Sequence, residues 1–152
     1  MSTYRVKVLW SAPAADFSAG NYSRSHSWQF DGGIRVPASS SPHNVAIPLS
    51  VEEAVDPEEA FVASLSSCHM LFFLVIAFKA GLVVERYEDN AVGTLAKDRD
   101  GRMAMTEVVL RPDIDFVGRA PSNKTLQALH DQAHEACFIA NSVKTQVRVE
   151  TP

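Results

Sequence analysis

Cysteine is scarce in this chain, with two residues, Cys68 and Cys137, among 152. So few cannot staple a small secreted domain, which relies on several disulfides. The first residues, Met1 to Val8, alternate apolar and polar side chains and lack the apolar stretch of a signal peptide. The two cysteines are therefore expected as a thiol pair in a cytoplasmic protein. Positive charge is also short. Fourteen Lys and Arg face 18 Asp and Glu, for a net charge of −4, and no basic cluster occurs. Nucleic-acid binding needs a basic surface and is excluded on that ground. The sequence has no G-x-S-x-G, no P-loop and no dinucleotide fingerprint, so Ser66 and Ser67 have no hydrolase context and no cofactor is expected. There is no internal repeat.

What remains is an ordinary globular composition, 46% hydrophobic and 21% charged, long enough to bury a core and read as one domain over residues 1–152. Residues 4–10 place Tyr4, Val6, Val8 and Trp10 on one face of a first strand, and residues 11–20 read as a loop. Tyr22 to Phe30 alternates as a second strand. Arg24 and His26 there share a face with Tyr22, Trp28 and Phe30. Asp31-Gly32-Gly33 turns the chain into a short strand at 34–36, and a loop follows to 55. Further on, Tyr87–Lys97 and Arg102–Arg111 flank Asp98-Arg99-Asp100-Gly101 as a hairpin. Ser122 to about Cys137 reads as a helix and Val143 to Val149 as a closing strand. The expected order is β-β-β-α-β-β-α-β, an α+β fold with mostly antiparallel pairing.

The helix between the two halves is the most distinctive element. Asp56 is its N-cap, Pro57 its first residue, Glu58 and Glu59 fill the first turn, and Gly81 ends it. From Ala60 to Phe78 it carries no Asp, Glu, Lys or Arg. Length and composition admit a membrane span. The polar cluster Ser64, Ser66, Ser67, Cys68 and His69 at its middle, with strand-rich polar sequence on both sides, speaks for a soluble protein instead. A helix apolar all round must be buried all round, which favours a dimer whose two long helices cover one another.

Cys68 lies well inside this helix. A buried thiol is ordinarily a small hydrophobe; a reactive one needs its thiolate, which apolar surroundings disfavour. The helix dipole fades within the first turn, so a separate cation is required, and Arg24 is the best candidate. Glu58 stands ten residues before Cys68, about 15 Å along a continuous helix and about 80° around it. Either the helix breaks between them or a second subunit brings them together; Glu58 as a plain first-turn acid is the structural alternative. His130, His134 and Cys137 recur on one helix face and offer a zinc-like set without a fourth ligand, so no metal is expected. His69 adjoins Cys68 in sequence but points about 100° away.

The Asp-Pro-Glu-Glu start at 56–59, the Ala63-Ser64-x-x-x-Cys68 run, and His134-x-x-Cys137 leading through Asn141-Ser142 into a valine-alternating strand together resemble the OsmC/Ohr family of hydroperoxide-reducing thiol proteins. The resemblance covers nearly the whole chain. It implies an OsmC-like fold in an intertwined homodimer, with the long central helix buried and the sites at the interface. It further implies that Cys68 attacks an organic hydroperoxide and becomes a sulfenic acid. Cys137 then closes a disulfide that an external dithiol reduces, Arg24 holds the thiolate, and Glu58 positions Arg24. The family's second cysteine is commonly followed by proline; here Phe138 follows. The competing reading is a non-catalytic dimeric binding protein with an apolar interface pocket and incidental thiols.

Overall fold

The computed structural model describes residues 1–151. They form two compact units, one spanning Met1–Ala60 and the other running from Phe61 onward. In the first, strands β1 (Val6–Leu9), β2 (His26–Phe30) and β3 (Arg35–Ala38) make an antiparallel sheet in sequential order. Trp28 pairs with Val8 on one side and Val36 on the other. The Asp31–Gly33 turn joins β2 to β3, with Gly33 at a φ of 89° that favours glycine.

Two expectations change here. A short helix α1 (Ala14–Ser18) interrupts the segment read as loop, and its Phe17 joins Trp10 and Tyr22 in an aromatic cluster with centroids 4.8 to 5.8 Å apart. The strand read from Tyr22 starts only at His26. The preceding residues are held otherwise, with the Arg24 N–H donating to the Leu49 carbonyl at 2.7 Å.

The long helix α2 (Pro57–Lys79) starts on a reciprocal cap. Asp56 Oδ1 accepts from the Glu59 N–H at 2.8 Å, and Glu59 Oε2 accepts from the Asp56 N–H at 3.1 Å. It ends at Gly81, where the Leu82 N–H reaches the Ala77 carbonyl and the Gly81 N–H the Phe78 carbonyl, both at 3.0 Å.

In the second unit the expected hairpin is realised with each strand broken in two. β4 (Val84–Asp89) pairs with β7 (Pro112–Phe116), while β5 (Val92–Lys97) pairs with β6 (Met103–Leu110) in a separate sheet. Asp89 serves the breaks: its Oδ1 accepts the Arg111 N–H at 2.6 Å and its Oδ2 the Ser66 hydroxyl of α2 at 2.5 Å. The backbone donor freed by the switch of sheets is thus satisfied. Helix α3 (Asn123–Ala136) follows, with Ser122 as N-cap, then a 3-10 turn at Ala140–Ser142. Strand β8 (Gln146–Val149) runs parallel to β6.

Helix α2 buries one stripe, Leu65, His69, Phe73 and Ala77, at i, i+4 spacing. Phe73 and Ala77 pack with Leu129 and Ala133 of α3; Leu65 packs with Val108 and Leu110 of β6. The helix lies close on the sheet at Gly93, where an added Cβ would come within 2.5 Å of the Val62 and Met105 side chains. The expectation of burial all round does not hold within one chain. Leu71, Val75 and Phe78 form an exposed stripe, 50 to 78% accessible.

Candidate functional site

Cys68 is half-buried on α2, and Cys137 is fully buried as the C-cap of α3; both are free thiols. Although far apart in sequence, the two thiols are neighbours, near enough for Cys68 to bear on the Cys137 proton. After Cys137 the chain turns into the 3-10 segment, and the Ala140 N–H donates to Cys137 Sγ at 3.4 Å. Burial nevertheless pushes the Cys137 thiol up, with the neighbouring Cys68 adding to the shift and the N–H groups of Ala140 and Ile139 opposing it. Cys137 therefore keeps its proton at neutral pH. Phe138, the residue after it, packs edge-on against Phe72 with centroids 4.9 Å apart.

One residue along α2 lies a second link between the same two helices. His69 Nε2 and His130 Nδ1 are 3.0 Å apart and share one proton. Their rings are nearly parallel, at 13°, and Phe73 stacks on His130 with centroids 4.4 Å apart. Both histidines are buried, at 1% and 0% accessibility. Burial lowers each to about 4; His134 adds to the effect on His69 while Asp89 opposes it, and the His69 neighbour adds to that on His130 while Asp131 opposes it. Both imidazoles are accordingly neutral. The zinc-like reading of His130, His134 and Cys137 is not realised. His130 is bonded to His69, Cys137 is turned to Cys68, and no three potential ligands converge among the described residues.

Arg24 and Glu58 belong to the first unit, where both line a cavity of about 490 Å³ with Trp10, Phe17 and Tyr22. They are not ion-paired. The Arg24 guanidinium donates to the Tyr22 carbonyl and lies over the Tyr22 ring, 3.8 Å from its centroid. Among the described residues no carboxylate forms a salt bridge with it. Glu58 Oε1 accepts instead from Asn44 Nδ2 at 3.2 Å. His26, the other polar residue on that face, has both ring nitrogens engaged. Its Nε2 accepts from the Trp28 indole at 3.1 Å, which leaves Nδ1–H to donate to the Arg24 carbonyl at 2.8 Å. That arrangement fixes a neutral tautomer with no lone pair free for base chemistry.

Sequence reading missed Asn44, the role of Tyr22 and the His69–His130 bond. For His69 a signal existed and was not used: it is the single histidine of a largely apolar helix, and a buried imidazole needs a partner. Asn44 had no such signal, since loop residues 38–55 carry no periodicity, and Tyr22 lies outside the strand that its alternation suggested.

The OsmC-like protein family matches residues 50–152, and the chain belongs to that family. An OsmC-like protein of unknown function from Vibrio cholerae is 52% identical over the whole of both chains, with a TM-score of 0.96. The same fold recurs in organic hydroperoxide resistance proteins. That of Bacillus subtilis is 19% identical, with 99% of this chain and 98% of that one covered and a TM-score of 0.72. That of Elizabethkingia anophelis is 16% identical, with 99% and 95% covered and a TM-score of 0.69. No curated protein matches the chain.

Proposed function

We propose that this protein reduces organic hydroperoxides with Cys68 as the attacking thiolate and Cys137 as the resolving thiol. The observation that carries the reading is that Cys68 on α2 neighbours Cys137 at the C-cap of α3, near enough to bear on its thiol. Two incidental cysteines have no reason to be neighbours; a peroxidatic and a resolving cysteine must be. Membership of the OsmC-like family and the fold shared with hydroperoxide resistance proteins support it.

The chemistry balances with the groups present. The Cys68 thiolate attacks the terminal oxygen of the hydroperoxide, the O–O bond breaks, and the alkoxide leaves as the alcohol after taking a proton. Cys68 is then a sulfenic acid. Cys137 attacks its sulfur, the S–O bond breaks as the S–S bond forms, and the departing hydroxide takes the Cys137 proton as water. The raised thiol of Cys137 slows this step, because the thiolate is the nucleophile, and its proton leaves with the departing hydroxide. An external dithiol then returns both cysteines to thiols.

Arg24 is assigned to holding the thiolate and the peroxide, and Glu58 to setting the position of Arg24. Helix α2 is unbroken from Pro57 to Lys79, so Glu58 and Cys68 stay about 15 Å apart along its axis. We assign the Arg24–Glu58 cavity that serves a given Cys68 to a second copy of the chain, in a homodimer. The exposed stripe Leu71, Val75 and Phe78 is the surface that such a partner helix would cover. The aromatic wall of the cavity favours apolar hydroperoxides over hydrogen peroxide. The protein is assigned to the cytoplasm.

Thiol titration before and after one equivalent of cumene hydroperoxide tests the proposal. Loss of both thiols is expected; two thiols that remain titratable would make the protein a non-catalytic binder.

A further inference from the structure

Two links join α2 to α3, and they use adjacent faces of α2. Cys68 and Phe72, one turn apart, engage Cys137 and Phe138 at the end of α3. His69 and Phe73, also one turn apart, engage His130 in its body. On α3 the two contact points are seven residues apart, nearly the same face and roughly 10 Å along the axis. A helix held at one point can still tilt or slide, and a tilt of about 10° over that span moves the far point by roughly 2 Å. A displacement of that size separates thiols that are merely neighbours from thiols that can bond.

The histidine pair is not the most stabilising choice for its place. His69 Nδ1 and His130 Nε2 find no partner among the described residues, and each buried polar atom left so costs about 1–3 kcal/mol. Two leucines would fill the space without that loss. What the imidazoles add is direction. A 3.0 Å bond between fixed ring planes admits one register of α3 on α2, whereas leucines admit several.

We infer that the His69–His130 hydrogen bond is a positioning device that sets the effective concentration of the Cys137 thiol at Cys68. Neither imidazole touches the reacting sulfurs; both act through the placement of α3. The inference rests on the resolving role proposed for Cys137, and it makes disulfide closure depend on a polar contact two helical turns away.

The test is an equilibrium one that needs no peroxide. Wild type, His69→Leu/His130→Leu, and His69→Gln/His130→Asn are equilibrated in reduced and oxidised glutathione, and the fraction with a Cys68–Cys137 disulfide gives the effective concentration. In the third chain the two side-chain amides stand where Nε2 and Nδ1 stood and restore a directional bond. The leucine pair leaves no unpaired polar atom and should fold. Its effective concentration should fall about tenfold or more, a loss of at least 1.4 kcal/mol, while the amide pair should return it to within about threefold of wild type, or 0.65 kcal/mol. In single-turnover peroxide reactions the leucine pair should form the sulfenic acid at the wild-type rate, close the disulfide slowly and over-oxidise more readily.

Wild-type effective concentration in the leucine pair, or an amide pair as impaired as the leucine pair, would overturn the inference. If the leucine pair does not fold, His130→Gln, which shifts the amide away from the Nδ1 position, takes its place with the same two outcomes. Failure of the peroxide reaction with a normal glutathione result would sink the proposed function and leave the positioning role standing.

Discussion

Asn44 donates a 3.2 Å hydrogen bond to Glu58 on the wall of the cavity that Arg24 also lines. The carboxylate is thus oriented by a loop residue while the guanidinium rests on Tyr22, so the two charges can be removed one at a time. Arg24→Met keeps bulk and stacking over the Tyr22 ring but loses the charge. A hydrogen bond to an ionised group contributes about 1.5–3 kcal/mol, so the peroxide rate should fall roughly ten- to a hundredfold with the fold unchanged. Glu58→Gln leaves the Asp56–Glu59 cap intact and should cost less. Stopped-flow kinetics of Cys68 oxidation measures both; an Arg24→Met rate equal to wild type makes Arg24 a structural cation.

Replacement of the two cysteines should separate the steps. Cys68→Ser should abolish peroxide reduction, since no other described thiol than Cys137 is present and that one keeps its proton. Cys137→Ser should complete a first attack and then accumulate sulfenic and sulfinic acid at Cys68, seen as added oxygen in peptide mass spectra. Normal cycling of Cys137→Ser with dithiols would show a one-cysteine mechanism.

The buried histidines predict a pH dependence of stability. Both are lowered to about 4 in the fold against about 6.5 in the unfolded chain. Between those values the unfolded chain binds protons that the native one refuses. Their contribution is therefore full above about pH 7 and falls as pH drops toward 4, by about 1.4 kcal/mol per pH unit for each proton. His134, Asp89 and Asp131 are the charged neighbours that modulate it. Urea midpoints at pH 7.5 and pH 5 should converge less in wild type than in His69→Leu/His130→Leu, whose profile should be flatter. Equal slopes would mean that the pair is not held neutral.

The exposed stripe on α2 sets the oligomer prediction. Val75 is 50% accessible at its centre. Val75→Glu places a charge where a partner helix is proposed to lie, and a desolvated, unpaired carboxylate is strongly unfavourable. Sedimentation equilibrium should find wild type as a dimer and Val75→Glu as a monomer with much reduced peroxide activity. A wild-type chain that sediments as a monomer would remove the second subunit from the site.

How much of this was legible follows from the physics of each segment. The start of α2 was readable because Asp56, Pro57 and Glu59 each answer a local need of a helix N-terminus, and its end because Gly81 takes a backbone conformation few others do. The α+β order was readable from periodicity. The split of the hairpin into two sheets was not, because it depends on Asp89 reaching Arg111 across the chain, and no local rule marks that. Cys68 and Cys137 stood out as rare residues in marked helical segments. Their proximity, like the contact of His69 with His130, is fixed by how α3 crosses α2, a tertiary fact that spacing on either helix alone does not contain. Arg24 was singled out by its face of an expected strand, yet that strand begins only at His26, and its partner Tyr22 also lies outside regular structure, where alternation carries no information.

Peroxide reduction as proposed needs the two sulfurs to act as one unit, and the intact mass of the reduced protein after one equivalent of cumene hydroperoxide reads that out. A chain lighter by two hydrogens is expected, with one non-reduced peptide pair linking Cys68 to Cys137 and return to the starting mass with a dithiol. An unchanged mass, or oxygen retained on Cys68 beside a free Cys137, would contradict it.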